Sequence, residues 1–309
     1  SEKMSGKRIA ALAVLGVVLL SLVALALVPA RSGFRVSGDA VALVRLAGPI
    51  QEGASPSLLA GGGITPQVLR ERLRTAGDDP FIKAVVLRID SPGGTVAASQ
   101  EMAGMVRDFP KPVVVSMGDV AASGGYYLAS QADRIVAQPG TLTGSVGVIF
   151  STFDVEGLFD KLGIEIEAVT AGEHKDMFLP GRFTPERRRI VQEMVDDLYE
   201  QFVGAVAQGR GLSEDEVREL ATGQPYTGQQ ALALGLVDRL GGLDEAIAEA
   251  EQLAGIEDAQ VVELTPSFFE ELFFGPGLAG VVRAGIGIDP ELVLLRELLT
   301  GYLVPRYGP

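Results

Sequence analysis

The longest apolar pattern in the chain comes first. Ile9 to Val28 is twenty residues without a charge, interrupted only by Gly16 and Ser21. That is the length at which a helix spans a bilayer. Lys3, Lys7 and Arg8 precede it, and positive residues stay on the cytoplasmic side, so the remainder is expected outside the cytoplasm. A cleaved signal peptide carries a similar pattern, but its apolar core is only roughly 7 to 15 residues long, which favours an anchor here.

After a polar linker, the pattern changes to short β-branched runs alternating with stripes of helical period. Strands are predicted at Ala40 to Leu46, Ala84 to Ile89, Val113 to Met117, Arg134 to Ala137, Val146 to Ile149 and Glu165 to Thr170. Between them, Thr65-Pro66 opens one helix, Thr95 to Asp108 is helical in period, and Val155 to Leu162 forms another. Gln51 to Gly63, rich in Gly, Ser and Pro, reads as a loop. Alternation with short connections implies an α/β fold built on a parallel sheet.

From Thr184 the period is helical, with helices opening at Thr184-Pro185-Glu186, at the capping-box sequence Ser213-Glu214-Asp215-Glu216, at Thr227 and at Leu243. The predicted organisation is a stub and transmembrane helix at 1–30, a linker at 31–39, a folded domain at 40–260 and an apolar tail at 261–309. The tail, with Phe268, Phe269, Leu272, Phe273 and Phe274, reads as helical packing or an oligomer contact.

Composition narrows the chemistry. In 309 residues there is no cysteine and one histidine, His174. Disulfides, thiol nucleophiles and Cys/His zinc sites of the usual kind are excluded, and neither a metal nor a cofactor is expected. A net charge of −14 argues against nucleic acid, whose phosphates need clustered Lys and Arg.

What remains is Ser123, placed where the Val113 run gives way to a short helix. The first amides of a helix lack internal partners and carry the positive end of its dipole, so an anion forming beside Ser123 would be stabilised. Gly124 and Gly125 remove side chains that would keep a carbonyl away. By itself Ser-Gly-Gly could equally be a small-residue turn that only permits close packing. A serine nucleophile needs a base, and His174 and its neighbour Lys175 are both candidates. Adjacent residues of an extended chain point to opposite sides, so at most one of them faces the site.

Ser91-Pro92-Gly93-Gly94, Ala121-Ala122-Ser123-Gly124-Gly125-Tyr126-Tyr127, Thr143-Gly144-Ser145-Val146-Gly147-Val148, His174-Lys175-Asp176, Gly228-Gln229-Gln230-Ala231 and Gly235-Leu236-Val237-Asp238 occur in order. Together, across about residues 40 to 260, they resemble the signal peptide peptidase A family of membrane-anchored serine proteases. That family is similar in fold to the Clp protease and crotonase superfamily, with repeated ββα units.

The resemblance implies a Ser-Lys dyad, with Ser123 as nucleophile and Lys175, 52 residues later, as general base. It matches Ser145 to the serine that orients the lysine amine, and Gly93 to the oxyanion-hole glycine, with the Gly124 amide as its partner. His174 is then solvent-facing. A lysine base must be neutral, which requires burial; Met177, Phe178 and Leu179 are expected to supply it, with Asp176 turned away.

A single copy of these motifs implies a homo-oligomeric ring, acting at the plasma membrane on peptides such as signal peptide remnants. The alternatives are a catalytically silent membrane scaffold and an acyl-CoA-binding crotonase-like protein.

Overall fold

The computed structural model of the chain describes residues 38–53, 63–179 and 183–264. The apolar run Ile9 to Val28, most of the Gln51 to Gly63 loop and the tail beyond 264 lie outside these. Among the described residues no helix is long and apolar enough to cross a membrane.

Three parallel strands form the centre of the domain: β1 (Ala40–Ala47), β2 (Ile82–Ser91) and β3 (Val113–Ala122). The rest of the sheet is β4 (Arg134–Ala137), β5 (Leu142–Gly144), β6 (Pro225–Thr227), β7 (Arg239–Leu240) and β8 (Gln260–Glu263). Among the described residues the order is β6-β5-β3-β2-β1-β8, with β4 also beside β3 and β7 beside β4. Only the β5–β6 pair is antiparallel. β3 is shared: Val114 to Ser116 pair with β4, whereas Val120 to Ala122 pair with β5. The α/β expectation is met, although the helical second half returns three short strands to the sheet.

Successive residues of a strand face opposite sides. Val41, Leu43, Ala84, Val86 and Val114 meet α8 (Leu243–Ala254), whose Ala246 and Ala250 are buried against them. The alternate positions, Val85, Leu87 and Ile89 among them, are fully buried on the other face. There the sheet is covered by α1 (Pro66–Asp78) and α3 (Gly124–Ala129), with α2 (Val96–Arg107) lying between these helices. Thr65 caps α1 by accepting the Val68 amide, as its Thr-Pro start predicts. The remaining helices are α4 (Glu156–Leu162), α5 (Pro185–Arg210), α6 (Glu214–Leu220) and α7 (Gly228–Ala233). Ser213 and Thr227 close capping boxes on α6 and α7.

The structure corrects four expectations. β3 does not end at Met117 but continues to Ala122. Gly118 leaves room for the Asp90 side chain, whose carboxylate accepts the Val120 amide at 3.0 Å; the β2–β3 register shifts at this point. Val146 to Ile149 is not a strand, because positive φ at Gly144 and Ser145 turns the chain out of the sheet. Glu165 to Thr170 is not a strand either, being exposed and without a ladder partner among the described residues. The folded domain also passes the expected boundary at 260, since β8 pairs in parallel with β1 from Ala40↔Gln260 to Leu43↔Glu263.

α3 is short and is held by its buried residues Tyr126, Leu128 and Ala129. Tyr126 is fully buried, and its hydroxyl donates to Leu236 O at 2.9 Å. Burial pushes this phenol far above its ordinary range, keeping it a donor. Tyr126→Phe strands the Leu236 carbonyl and should cost about 1–2 kcal/mol. For a domain of this size that lowers the melting temperature by roughly 2–8 °C, measurable by calorimetry on the purified protein.

Candidate functional site

Ser123 is the residue between β3 and α3. Its backbone has φ 51° and ψ −123°, a conformation that L side chains rarely adopt and that costs about 1–3 kcal/mol. Its amide donates to Gly144 O of β5 at 2.8 Å. Ala122 pairs with Gly144, so the next residues in register, Ser123 and Ser145, leave the sheet side by side. Ser145 has φ 50°. Asp258 is the other non-glycine at positive φ among the described residues, so two of the three are these adjacent serines.

The glycines act by close approach. A Cβ on Gly124 would lie 2.3 Å from Ser99 Oγ of α2, and one on Gly125 would lie 3.0 Å from Ser91 O. Gly93 has φ 101°, and a Cβ there would fall 2.7 Å from Gly124 N and 2.8 Å from Ser123 Cβ. A Cβ on Gly94 would meet Ile50 O at 1.9 Å. The Ser91 to Gly94 turn and the start of α3 are therefore in backbone contact, as both readings of the glycines require. The Gly124 amide makes no hydrogen bond among the described residues. Gly93 presents its amide to Ser91 Oγ at 3.2 Å, while the neighbouring Gly94 amide makes no bond among the described residues.

The structure does not bring Lys175 to this cluster by any hydrogen bond. Ser145 Oγ donates to Gly223 O at 3.2 Å. Lys175 is exposed and has neither a hydrogen bond nor an ion pair from its side chain among the described residues. It lies in a run of tight turns, with Lys175 N bonded to Gly172 O and Met177 N to His174 O. The chain there is not extended, and both His174 and Lys175 face solvent. Nor do the apolar neighbours bury the lysine: Phe178 is 59% exposed and Leu179 39%. Asp176 is engaged elsewhere, accepting from Arg187 of α5 at 2.8 Å.

Lys175 belongs to an arm, residues 147–179, that runs from β5 toward α5. It carries Ile149, Phe150, Phe153, Leu158, Leu162, Ile164, Ile166 and Val169, all large apolar side chains exposed in the single chain. Phe150 lies between Phe178, at 5.6 Å, and Phe183, at 6.4 Å, which ties the arm's two ends together.

The Peptidase family S49 profile matches residues 106–257. A provisionally named protease of Synechocystis sp. is 42% identical over 200 residues, covering 64% of this chain and 72% of that protein. The chain belongs to peptidase family S49, the signal peptide peptidase A family. The chloroplastic serine protease SPPA of Arabidopsis thaliana is 35% identical over 266 residues, 85% of this chain but 39% of that longer protein. A mutant of the 1510-N membrane-bound stomatin-specific protease, solved with a substrate peptide, superposes with a TM-score of 0.51 at 19% identity, over 76% of this chain and 96% of its own. That likeness shows the shared fold.

Not every motif of the S49 chain lies at the serine. Gly235 to Asp238 braces α3 from below: Leu236 receives Tyr126, and Asp238 accepts from Arg210 at 2.9 Å and from the Ile135 amide at 2.7 Å. Sequence pattern assigns no role to Ser99, Thr141 or Thr143, although Thr143 opens the Thr143 to Val148 motif. The two threonines are buried and donate to Gly118 O and Ala121 O, holding the last turn of β3 in place. Residue order carries no signal for them, because the two threonines are inside while the apolar Leu142 between them is exposed.

The contact between Gly124 and Ser99 is directly testable. Gly124→Ala should lower stability by about 1–3 kcal/mol through overpacking, and combining it with Ser99→Ala should restore most of the loss. Equal instability of the single and double variants in thermal melts would refute the contact.

Proposed function

We propose that this S49 protein is a membrane-anchored serine endopeptidase with a Ser123–Lys175 dyad, cutting apolar, unfolded peptides such as signal peptide remnants. The observation that carries this reading is the strained Ser123, set against the unbonded Gly124 amide where a strand meets a helix. Positive φ at a non-glycine residue persists where the fold over-determines it, and such strain clusters at active sites. The substrate peptide bound to the 1510-N protease fold supports peptides as the substrate class.

In this reading Ser123 Oγ attacks the scissile carbonyl carbon while its proton passes to neutral Lys175 Nζ. The carbonyl electrons move to oxygen, and the oxyanion is held by the Gly124 amide together with an amide of the Gly93-Gly94 turn. Collapse breaks the C–N bond, and the departing amine takes the proton from Lys175. Water then hydrolyses the ester, Lys175 accepting its proton and returning one to Ser123. Ser145 orients the lysine amine.

The exposed arm supports assembly. A ring of copies that covers Ile149, Phe153 and Val169 removes apolar surface from water and supplies the burial that a lysine base needs. Ile9 to Val28 would anchor the ring in the plasma membrane, with the catalytic domain on the extracytoplasmic side. A silent scaffold or an acyl-CoA-binding protein would have no use for the dyad, and a fluorophosphonate probe labelling Ser123 separates these readings from a protease.

Ser123→Ala should lose at least about a thousandfold in hydrolysis of a fluorogenic apolar peptide while folding normally by circular dichroism. Lys175→Ala should lose at least about a hundredfold, whereas His174→Ala retains activity. An inactive histidine variant beside an active lysine variant would replace the Ser-Lys mechanism with a Ser-His one.

A further inference from the structure

The turn that carries Lys175 is flanked by an unneutralised cluster. Glu173 and His174 from the arm, and Glu186 from the first turn of α5, place one ligand atom each within 4.8 Å of one another. All three side chains are exposed. His174 is the only histidine in the chain. Neither Glu173 nor Glu186 has an ion-pair partner among the described residues. The nearby cations are committed elsewhere: Arg187 to Asp176, Arg189 to Glu193, and Arg188 over the Phe183 ring at 5.4 Å. Two carboxylates of like sign thus lie beside an imidazole with no arginine paired to them among the described residues, Lys175 being the adjoining cation.

We propose that Glu173, His174 and Glu186 bind one divalent transition-metal ion, zinc being the best fit, and that the ion holds the arm against α5. One nitrogen and two oxygen donors suit zinc, with water completing the tetrahedron. Ligands about 2.0–2.2 Å from a tetrahedral ion lie about 3.4 Å apart, and exposed side chains can close to that from within 4.8 Å by rotamer changes alone. The Asp176–Arg187 pair already fixes the same two elements to each other, three residues along the arm and one along the helix. This pre-alignment lowers the entropic cost of assembling ligands from two segments.

The consequence falls on Lys175, which adjoins His174. An ion bridging positions 173 and 174 to 186 fixes the turn in the arrangement seen here, where Lys175 is exposed and unbonded. Forming the dyad requires this turn to move until Lys175 Nζ reaches Ser123 Oγ, so an ion that fixes it acts as a reversible inhibitor. This regulatory half rests on the Ser123–Lys175 reading; the binding half does not.

Binding is measured on full-length Ser123→Ala protein without a polyhistidine tag, by calorimetry with zinc and by the visible absorption of cobalt(II). About one ion per chain is expected, with His174→Ala and Glu186→Gln in the same background each weakening binding at least about tenfold. Equal binding by all three proteins would overturn the site. On active enzyme, micromolar zinc should suppress peptide hydrolysis, a chelator should restore it, and both His174→Ala and Glu186→Gln should escape suppression. Undiminished inhibition of both variants would overturn the regulation while leaving the binding result standing. Loss of the dyad reading, seen as an active Lys175→Ala enzyme, would leave the calorimetry unchanged.

Discussion

The hydrogen bond from the Ser123 amide to Gly144 O, at 2.8 Å, fixes where the candidate nucleophile sits. It joins the end of β3 to the end of β5, and both chains turn at positive φ immediately beyond it, at Ser123 and Ser145. Each turn costs about 1–3 kcal/mol, and a buried hydrogen bond returns about 1 kcal/mol net. The bonds from Thr141, Thr143, Tyr126 and the two serine amides are therefore comparable in sum to the strain they hold. The strain persists because the surrounding polar contacts are all made at once, and this ties the site to the integrity of the sheet around β3.

A second constraint comes from the other side of the serine. The turn after β2 and the start of α3 approach until only glycine fits, with Gly93 against Ser123 and Gly124 against Ser99. The same absence of Cβ atoms that allows packing leaves the Gly124 amide open. Close packing, which is observed, and oxyanion binding, which is proposed, are thus not competing explanations of Ser-Gly-Gly at this position. One geometric fact serves both, and a substitution that harms one should harm the other.

Much of this was legible from residue order. β-branched runs gave the central strands, Thr-Pro and capping-box sequences gave helix starts, and glycine turns after two of the strands marked the candidate site, where the structure brings them into contact. The errors have physical causes. Gly118-Asp119 looks like a turn, but Asp90, 28 residues earlier, supplies the contacts that keep it in β3. Strands as short as Arg239–Leu240 and Gln260–Glu263 exist only because a neighbour offers a free edge, which local pattern does not encode. Val146 to Ile149 and Glu165 to Thr170 have strand composition but no edge to join in the single chain. Val146 is buried, but Ile149, Ile166 and Val169 remain exposed, for the same reason that made these segments read as strands.

That misreading bears on how the site is completed. Residues 147–179 keep the hydrophobicity of interior segments without an interior of their own, and Lys175 sits near their end. A lysine in water is a poor base, because its amine is held protonated. In the proposed Ser123–Lys175 reading, whatever covers the arm changes the dielectric around that amine, so that assembly and activation would be one event rather than two. A chain that keeps its nucleophile strained and ready but leaves its base exposed would be inert alone and competent once covered. In the proposed dyad, that coupling would restrict cleavage to the state in which the arm is covered.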